Sequence, residues 1–175
     1  MRPFVAVNLE RSLAYYPIRK AASSSLGLAV RGSWTPWQHA LKAKAIHFTV
    51  VRNPLARLAS LYVGSVNPAR TGFYQPWTRH NIHYNMSFPD FIAAVCNTPN
   101  DAHCDDHFVV ANWADLIPNL HVHHFADLPA VAKLYNLDLP YIGPSYAAEA
   151  PHYTPELEEM VRERFAREFV LYNFD

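Results

Sequence analysis

The sequence predicts an α/β fold: a central parallel sheet flanked by helices, in a single domain over residues 1–175. Short runs rich in β-branched and aromatic residues, at 12–18, 46–51 and 120–125, each precede a helix-like segment. That strand–helix alternation is the signature of a parallel sheet with right-handed crossovers. The chain has 175 residues, of which 50% are hydrophobic and 17% charged, enough for a core and far from disorder.

Ser12–Ile18 (SLAYYPI) reads as the first strand, followed by RKAASSS and an apolar run, LGLAV, that suits a helix. Ile46–Val51 (IHFTVV) is a second strand by composition. Asn53-Pro54 then starts a helix, with Asn as N-cap and Pro in the first turn, and Leu55, Leu58 and Tyr62 share one apolar face. Residues 65–86 are loop-like, with Asn67-Pro68 and Thr71-Gly72. Ser87-Phe-Pro-Asp90 opens another helix with a capping pattern. Leu120–Phe125 is the third strand, Leu128–Leu137 a helix, and residues 138–153 a connection. Thr154-Pro155 caps a long final helix, with Leu157, Met160, Val161, Phe165 and Phe169 as its buried stripe.

Cys96 and Cys104 are too few for a disulfide scaffold and fit a reducing compartment. No apolar run reaches the roughly 18 residues of a membrane span, and the first residues lack a signal-type apolar stretch. A net charge of zero conceals a strong asymmetry. Residues 1–89 hold eleven Lys/Arg and the single acid Glu10, whereas residues 90–175 hold fourteen acids and four Lys/Arg. The halves can neutralise each other, or the basic half can face a polyanion: a nucleotide, a nucleic acid or an acidic polysaccharide.

Chemistry concentrates first at Arg19-Lys20-Ala21-Ala22-Ser23-Ser24-Ser25. A strand running into small and hydroxyl residues and then a helix offers backbone N–H groups and a positive helix end to an anion. Lys20 adds a mobile cation, although an ordinary Ser-rich turn explains the same residues. There is no G-x-x-x-x-G-K-[ST], and the second strand ends in Arg52 where a nucleoside triphosphatase often places an Asp, which disfavours a kinase. Arg52 sits at the carboxyl end of a strand, where open α/β sheets bind ligands. Ser60 lies two turns into the next helix and Arg57 three residues before it, so a guanidinium and a hydroxyl can grip a second phosphate.

Together these segments resemble the cofactor signatures of the PAPS-dependent sulfotransferases (PAPS is 3′-phosphoadenosine-5′-phosphosulfate), most of all the carbohydrate branch of heparan-uronyl and chondroitin/dermatan type. Arg19–Leu26 is similar to the 5′-phosphosulfate loop P-K-T-[AG]-[ST]-[ST]-S-[LF], with Arg19 for Pro and Ala21 for Thr. Arg52–Tyr62 fits the 3′-phosphate motif R-[DN]-P-x-x-R-[LF]-x-S-x-Y at every fixed position. Downstream, Asp105-Asp106-His107-Phe108 is similar to the D-x-H-[WF] segment of chondroitin-type relatives, and 123–128 to a segment ending F-E-x-L, with Ala126 for the acid. The resemblance implies the P-loop-like sulfotransferase fold, PAPS as co-substrate without a metal, and sulfuryl transfer to a hydroxyl of a carbohydrate or related metabolite. Arg19, Lys20, Ala21, Ala22, Ser23, Ser24, Ser25, Arg52 and Ser60 become the cofactor contacts, with Lys20 also catalytic. Neither nucleic acid nor membrane is expected as partner, and a chain this short, without the membrane anchor and stem of Golgi relatives, points towards a cytoplasmic protein of bacterial or viral type. A sulfotransferase-like protein that binds a nucleotide or anionic glycan without catalysis is the alternative.

Sulfuryl transfer needs in-line positioning, a stabilised leaving group and a base for the attacking hydroxyl. His107 is the first candidate for the base, from its place in the D-x-H-F segment, and His39 the second. His103-Cys104-x-x-His107 and His121-x-His123-His124 look like metal-ligand clusters, yet strand alternation splits His124 from His121 and His123, so metal binding is not expected. Trp34, Trp37, Tyr74, Trp77, Tyr84 and Trp113 can stack on sugars but serve equally as core or loop anchors.

Overall fold

A computed structural model describes residues 4–66, 75–100, 104–108, 116–140 and 151–175. Two units emerge: Met1–Arg52 with Ala111–Pro144, and Asn53–Val110 with Ser145–Asp175.

The first unit carries a sheet of five strands among the described residues: β1 (Phe4–Asn8), β2 (Leu13–Tyr16), β3 (Ser33–Pro36), β4 (Ile46–Val51) and β5 (His121–His124), ordered β3-β1-β2-β4-β5. The α/β class is as expected, but the sheet is mixed rather than parallel. β2–β4 and β4–β5 are parallel, while β1 pairs antiparallel with both β2 and β3. The β1–β2 hairpin closes at Ser12, whose N–H donates to the Leu9 carbonyl at 3.2 Å with φ at 53°. Gly32, just before β3, is required by close approach: a Cβ there would lie 2.6 Å from the Val7 backbone.

The parallel half positions the site. Leu13 pairs with Ile46 and Tyr16 with Thr49, and Val51 pairs with His124. The carboxyl ends of β2, β4 and β5 therefore open on one edge, where Lys20, Arg52 and Phe125 follow. Alternation places Ala6, Leu13, Tyr15, Phe48 and Val50 on one face, packed against α1 (Ser23–Val30) and α5 (Leu128–Leu134). Val5, Ala14 and Tyr16 face the other way, against Ala40 of α2 (Trp37–Ala40) and Ile117. Burying each large apolar side chain contributes about 1.5–3 kcal/mol. At the end of β2 the Thr49 hydroxyl donates to the Tyr16 carbonyl at 2.6 Å, pinning the strand where the loop departs.

The second unit is helical: α3 (Pro54–Ser65), α4 (Phe88–Asn97), α6 (Pro155–Arg164) and α7 (Ala166–Leu171), with a 3-10 turn at Gln75–His80. The anticipated caps are in place. The Asn53, Ser87 and Thr154 side chains accept from the N–H groups of Leu55, Asp90 and Leu157. Leu58, Leu61, Phe91, Ile92, Val95, Val161, Phe165 and Phe169 form its core. The final helix is two helices, broken at Phe165 (φ −109°, ψ 20°). The bend keeps Phe165 and Phe169 in the core while turning Glu168 inward to Arg57.

Candidate functional site

Lys20 stands in the left-handed region, φ 63°, and so does Ala22, φ 59°, at the N-cap of α1. Two non-glycine residues in that region within three positions carry backbone strain, a feature that concentrates at ligand-binding turns. The helix starts at Ser23, three residues earlier than its apolar run indicated, so Ser23, Ser24 and Ser25 form its first turn. Ala22 supplies no side-chain cap. The partial positive end of α1 thus has neither a side-chain cap nor a carboxylate in its first turn. Within the loop, Arg19 and Ser24 are exposed, Lys20, Ala22, Ser23 and Ser25 partly buried, and Ala21 buried with its N–H donating to the Ile18 carbonyl.

Arg52 reaches this loop from the end of β4. Its Nη1 donates to the Lys20 carbonyl at 3.1 Å, and its guanidinium lies 4.6 Å from the centroid of the Phe125 ring. Phe125 was not foreseen as a partner; it follows from the parallel register, which sets His124 beside Val51. Burial and then the Arg52 charge push the Lys20 pKa below the usual lysine range. Two cations held side by side and partly desolvated favour an anion between them.

In the second unit Ser60 lies on α3, partly buried. Arg57, one turn before Ser60 on the same helix, serves the fold. Its Nη2 donates to Glu168 Oε1 at 3.0 Å with both side chains buried, so it ties α3 to α7. His107 sits on a short turn in which its Nδ1 lies 2.6 Å and its backbone N 3.0 Å from Asp105 Oδ1. Trp77 meets the imidazole edge-on, 5.2 Å between centroids. Burial opposes ionisation of Asp105, but hydrogen bonds from the His107 ring and backbone outweigh it, and the carboxyl stays below its ordinary range. In the sequence Asp105 is marked only by its spacing, two residues before His107.

His39, the other candidate base, is exposed on α2 in the first unit. Sequence reading also missed His47, whose Nδ1 is 2.9 Å from the Tyr16 hydroxyl. Burial lowers the His47 pKa, and the buried Tyr16 hydroxyl is pushed up to about 12. His123 makes a similar pair with Tyr135 at 2.8 Å. Among the described residues no group of three or more His, Cys, Asp or Glu is placed to hold a metal ion, and His103 lies outside them. Trp77 is a core residue, Trp34 and Tyr84 are exposed, and Tyr74 and Trp113 lie outside the described residues. No helix of the described residues is long and apolar enough to cross a membrane.

Residues 20–126 match the family model described as the Sulfotransferase family, well over half of the chain. The chain belongs to the sulfotransferase family. The matched region of this sulfotransferase begins at Lys20 and ends just past Phe125, so it takes in the Lys20 loop, Arg52, Ser60 and the Asp105–His107 turn. No curated protein and no solved structure matches the chain. The family assignment supports a sulfotransferase enzyme, and the loop geometry presents paired cations at the carboxyl ends of the parallel strands β2 and β4.

Proposed function

We propose that this sulfotransferase takes its sulfuryl group from PAPS and delivers it to a hydroxyl of a carbohydrate or related metabolite. The observation that carries the reading is the Arg52 hydrogen bond to the Lys20 carbonyl, which couples the two cofactor-type segments at one sheet edge. In this reading the strained turn and the first turn of α1 receive the 5′-phosphosulfate, through backbone N–H groups and the Ser23, Ser24 and Ser25 hydroxyls. Lys20 offsets charge growing on the bridging oxygen as the sulfur–oxygen bond breaks. Arg52 takes the 3′-phosphate, and Ser60 joins it on the strength of motif spacing. His107 accepts the acceptor proton. The carbohydrate acceptor rests on the likeness of 105–108 and 123–128 to the chondroitin-type segments.

Calorimetry with adenosine 3′,5′-bisphosphate and adenosine 5′-monophosphate tests the donor. The bisphosphate should bind far more tightly, and Arg52→Ala should lose roughly 1.5–3 kcal/mol, the range for hydrogen bonds to charged groups. Equal affinity for the two nucleotides would overturn the assignment. Tight bisphosphate binding without transfer to any acceptor would instead favour a binding protein that has lost catalysis, consistent with Arg19 and Ala21 standing where relatives carry Pro and Thr.

A further inference from the structure

We propose that Asp105 is the positioning residue of His107, fixing the neutral tautomer of the imidazole as the one with its proton on Nδ1, so that Nε2 is the proton-accepting atom. What Nε2 then does rests on the sulfuryl-transfer reading; the state of the ring rests on this turn alone.

The turn leaves the ring little choice. One oxygen, Asp105 Oδ1, accepts both the His107 backbone N–H at 3.0 Å and the ring contact at 2.6 Å. Phe108 N–H donates to the Asp105 carbonyl at 2.9 Å and closes the loop of chain around them. An ionised carboxylate only accepts, so a contact this short requires a proton on Nδ1. A free neutral histidine prefers its proton on Nε2, so the carboxylate inverts the ordinary tautomer. Rotation is restrained as well. The Trp77 ring, fully buried, meets the imidazole edge-on, and Phe108 packs beside both. His80, from the 3-10 turn, packs edge-on against Phe108, with 5.7 Å between those centroids. The His107 side chain is 25% exposed, so the backed ring still presents an edge to solvent.

In the transfer this arrangement serves, the acceptor hydroxyl oxygen forms its bond to sulfur while the bond from sulfur to the bridging phosphate oxygen breaks. The leaving electron pair stays on the nucleotide phosphate. The hydroxyl proton moves to Nε2, and the carboxylate of Asp105 offsets the imidazolium that results.

The test is side-chain 15N NMR on the whole chain, with His107→Ala to assign the His107 signals among the other histidines. The wild-type ring should carry its proton on Nδ1. In Asp105→Asn, whose amide can donate to Nδ1, the ring should shift towards the Nε2-protonated form. Asp105→Ala should shift it the same way, and a melting curve of each variant reports whether the turn has survived. Turnover of PAPS with chondroitin as the acceptor probe supplies a second readout. Asp105→Asn should lower kcat roughly 10- to 1,000-fold, less than or equal to the loss of the base itself, with the KM for PAPS little changed. Combining Asp105→Asn with His107→Ala should cost no more than His107→Ala alone. A wild-type ring protonated on Nε2, or a tautomer unmoved by Asp105→Asn in folded protein, would overturn the assignment. If the tautomer behaves as stated but PAPS neither binds nor turns over, the proposed function falls and the Asp105 assignment stands.

Discussion

Arg57 Nη2 lies 3.0 Å from Glu168 Oε1, and each side chain is only 2% exposed. The guanidinium also lies 5.2 Å from the centroid of Phe165, at the break between α6 and α7, while its buried Nε has no hydrogen-bond partner among the described residues. Such a pair owes little net stability to its charges, because desolvation offsets their attraction, but breaking it strands a buried ion. Glu168→Ala and Arg57→Ala should each destabilise the protein by about 3–5 kcal/mol in urea unfolding. A loss below about 1 kcal/mol, the range of exposed pairs, would contradict the structural role.

Arg52→Ala should behave oppositely to Arg57→Ala although both arginines belong to one motif. Arg52 is partly exposed, so its truncation should lower the unfolding midpoint much less than that of the buried Arg57, while nucleotide affinity drops. Parallel urea and calorimetry measurements on the two variants decide it. Arg57→Ala protein that is stable but cannot bind nucleotide would reverse the assignment.

Lys20 makes anion binding proton-linked. Its pKa is lowered in the free protein by burial and by Arg52, and a bound anion should restore it. Binding should therefore take up a proton between the free and bound pKa values, and affinity should fall as pH rises through that alkaline window. Lys20→Met should bind more weakly at neutral pH and lose that pH dependence. The linked stability has the opposite sign. The unfolded chain holds this proton more tightly, so Lys20 makes stability rise with pH across the window between folded and unfolded values. Calorimetry in buffers of different ionisation enthalpy measures the proton uptake; no uptake in the wild type would separate Lys20 from the anion.

His47 and His123 should make the protein acid-sensitive. Burial lowers both pKa values, so the unfolded chain binds protons first as pH falls below its value of about 6.5. Stability should decline from that point and level off once pH is below the folded values. The lowered Asp105 carboxyl acts later, its contribution being lost only as pH falls from about 4. The melting temperature of His47→Gln/His123→Gln should change less between about pH 7 and 5.5 than that of the wild type. An equal fall in both would rule the two histidines out as the cause.

What the sequence disclosed follows from where its signals are local. IHFTVV gave β4 to the residue, and the caps at Asn53, Ser87 and Thr154 were visible because capping is set by side chains a few positions apart. β1 and β3 escaped because FVAVN lies among charged residues and SWTP, with Pro36 at its end, has little strand character. Missing them turned a mixed sheet into a parallel one. The break at Phe165 was equally hidden, since its apolar stripe continues unbroken and no Gly or Pro marks the bend.

The site divides along the same line. Lys20 and Arg52 could be named from their segments, but their meeting depends on β2 lying beside β4, a pairing no local pattern reveals. Arg57 and Ser60 looked alike in sequence, three residues apart on one helix. Only the partner 111 positions away, Glu168, shows that Arg57 serves the fold.

His107 and His39 can be separated by comparing their alanine variants side by side. His107 is anchored by Asp105 and backed by Trp77, whereas His39 is exposed on a four-residue helix. His39→Ala should therefore leave melting temperature and turnover close to wild type. His107→Ala should lower turnover by about 10²–10⁴, the contribution of a positioned base. Its affinity for adenosine 3′,5′-bisphosphate should hold, because the proposed donor contacts lie elsewhere in the sequence, at 19–25, Arg52 and Ser60. Loss of the Asp105 contact also removes a hydrogen bond to a charged group, so a drop of roughly 1.5–3 kcal/mol in stability is expected. Turnover must consequently be normalised to folded protein. If activity then tracks the folded fraction alone, His107 is a structural residue. If His39→Ala loses activity while His107→Ala keeps it, the base is His39 and the Asp105–His107 turn serves the fold.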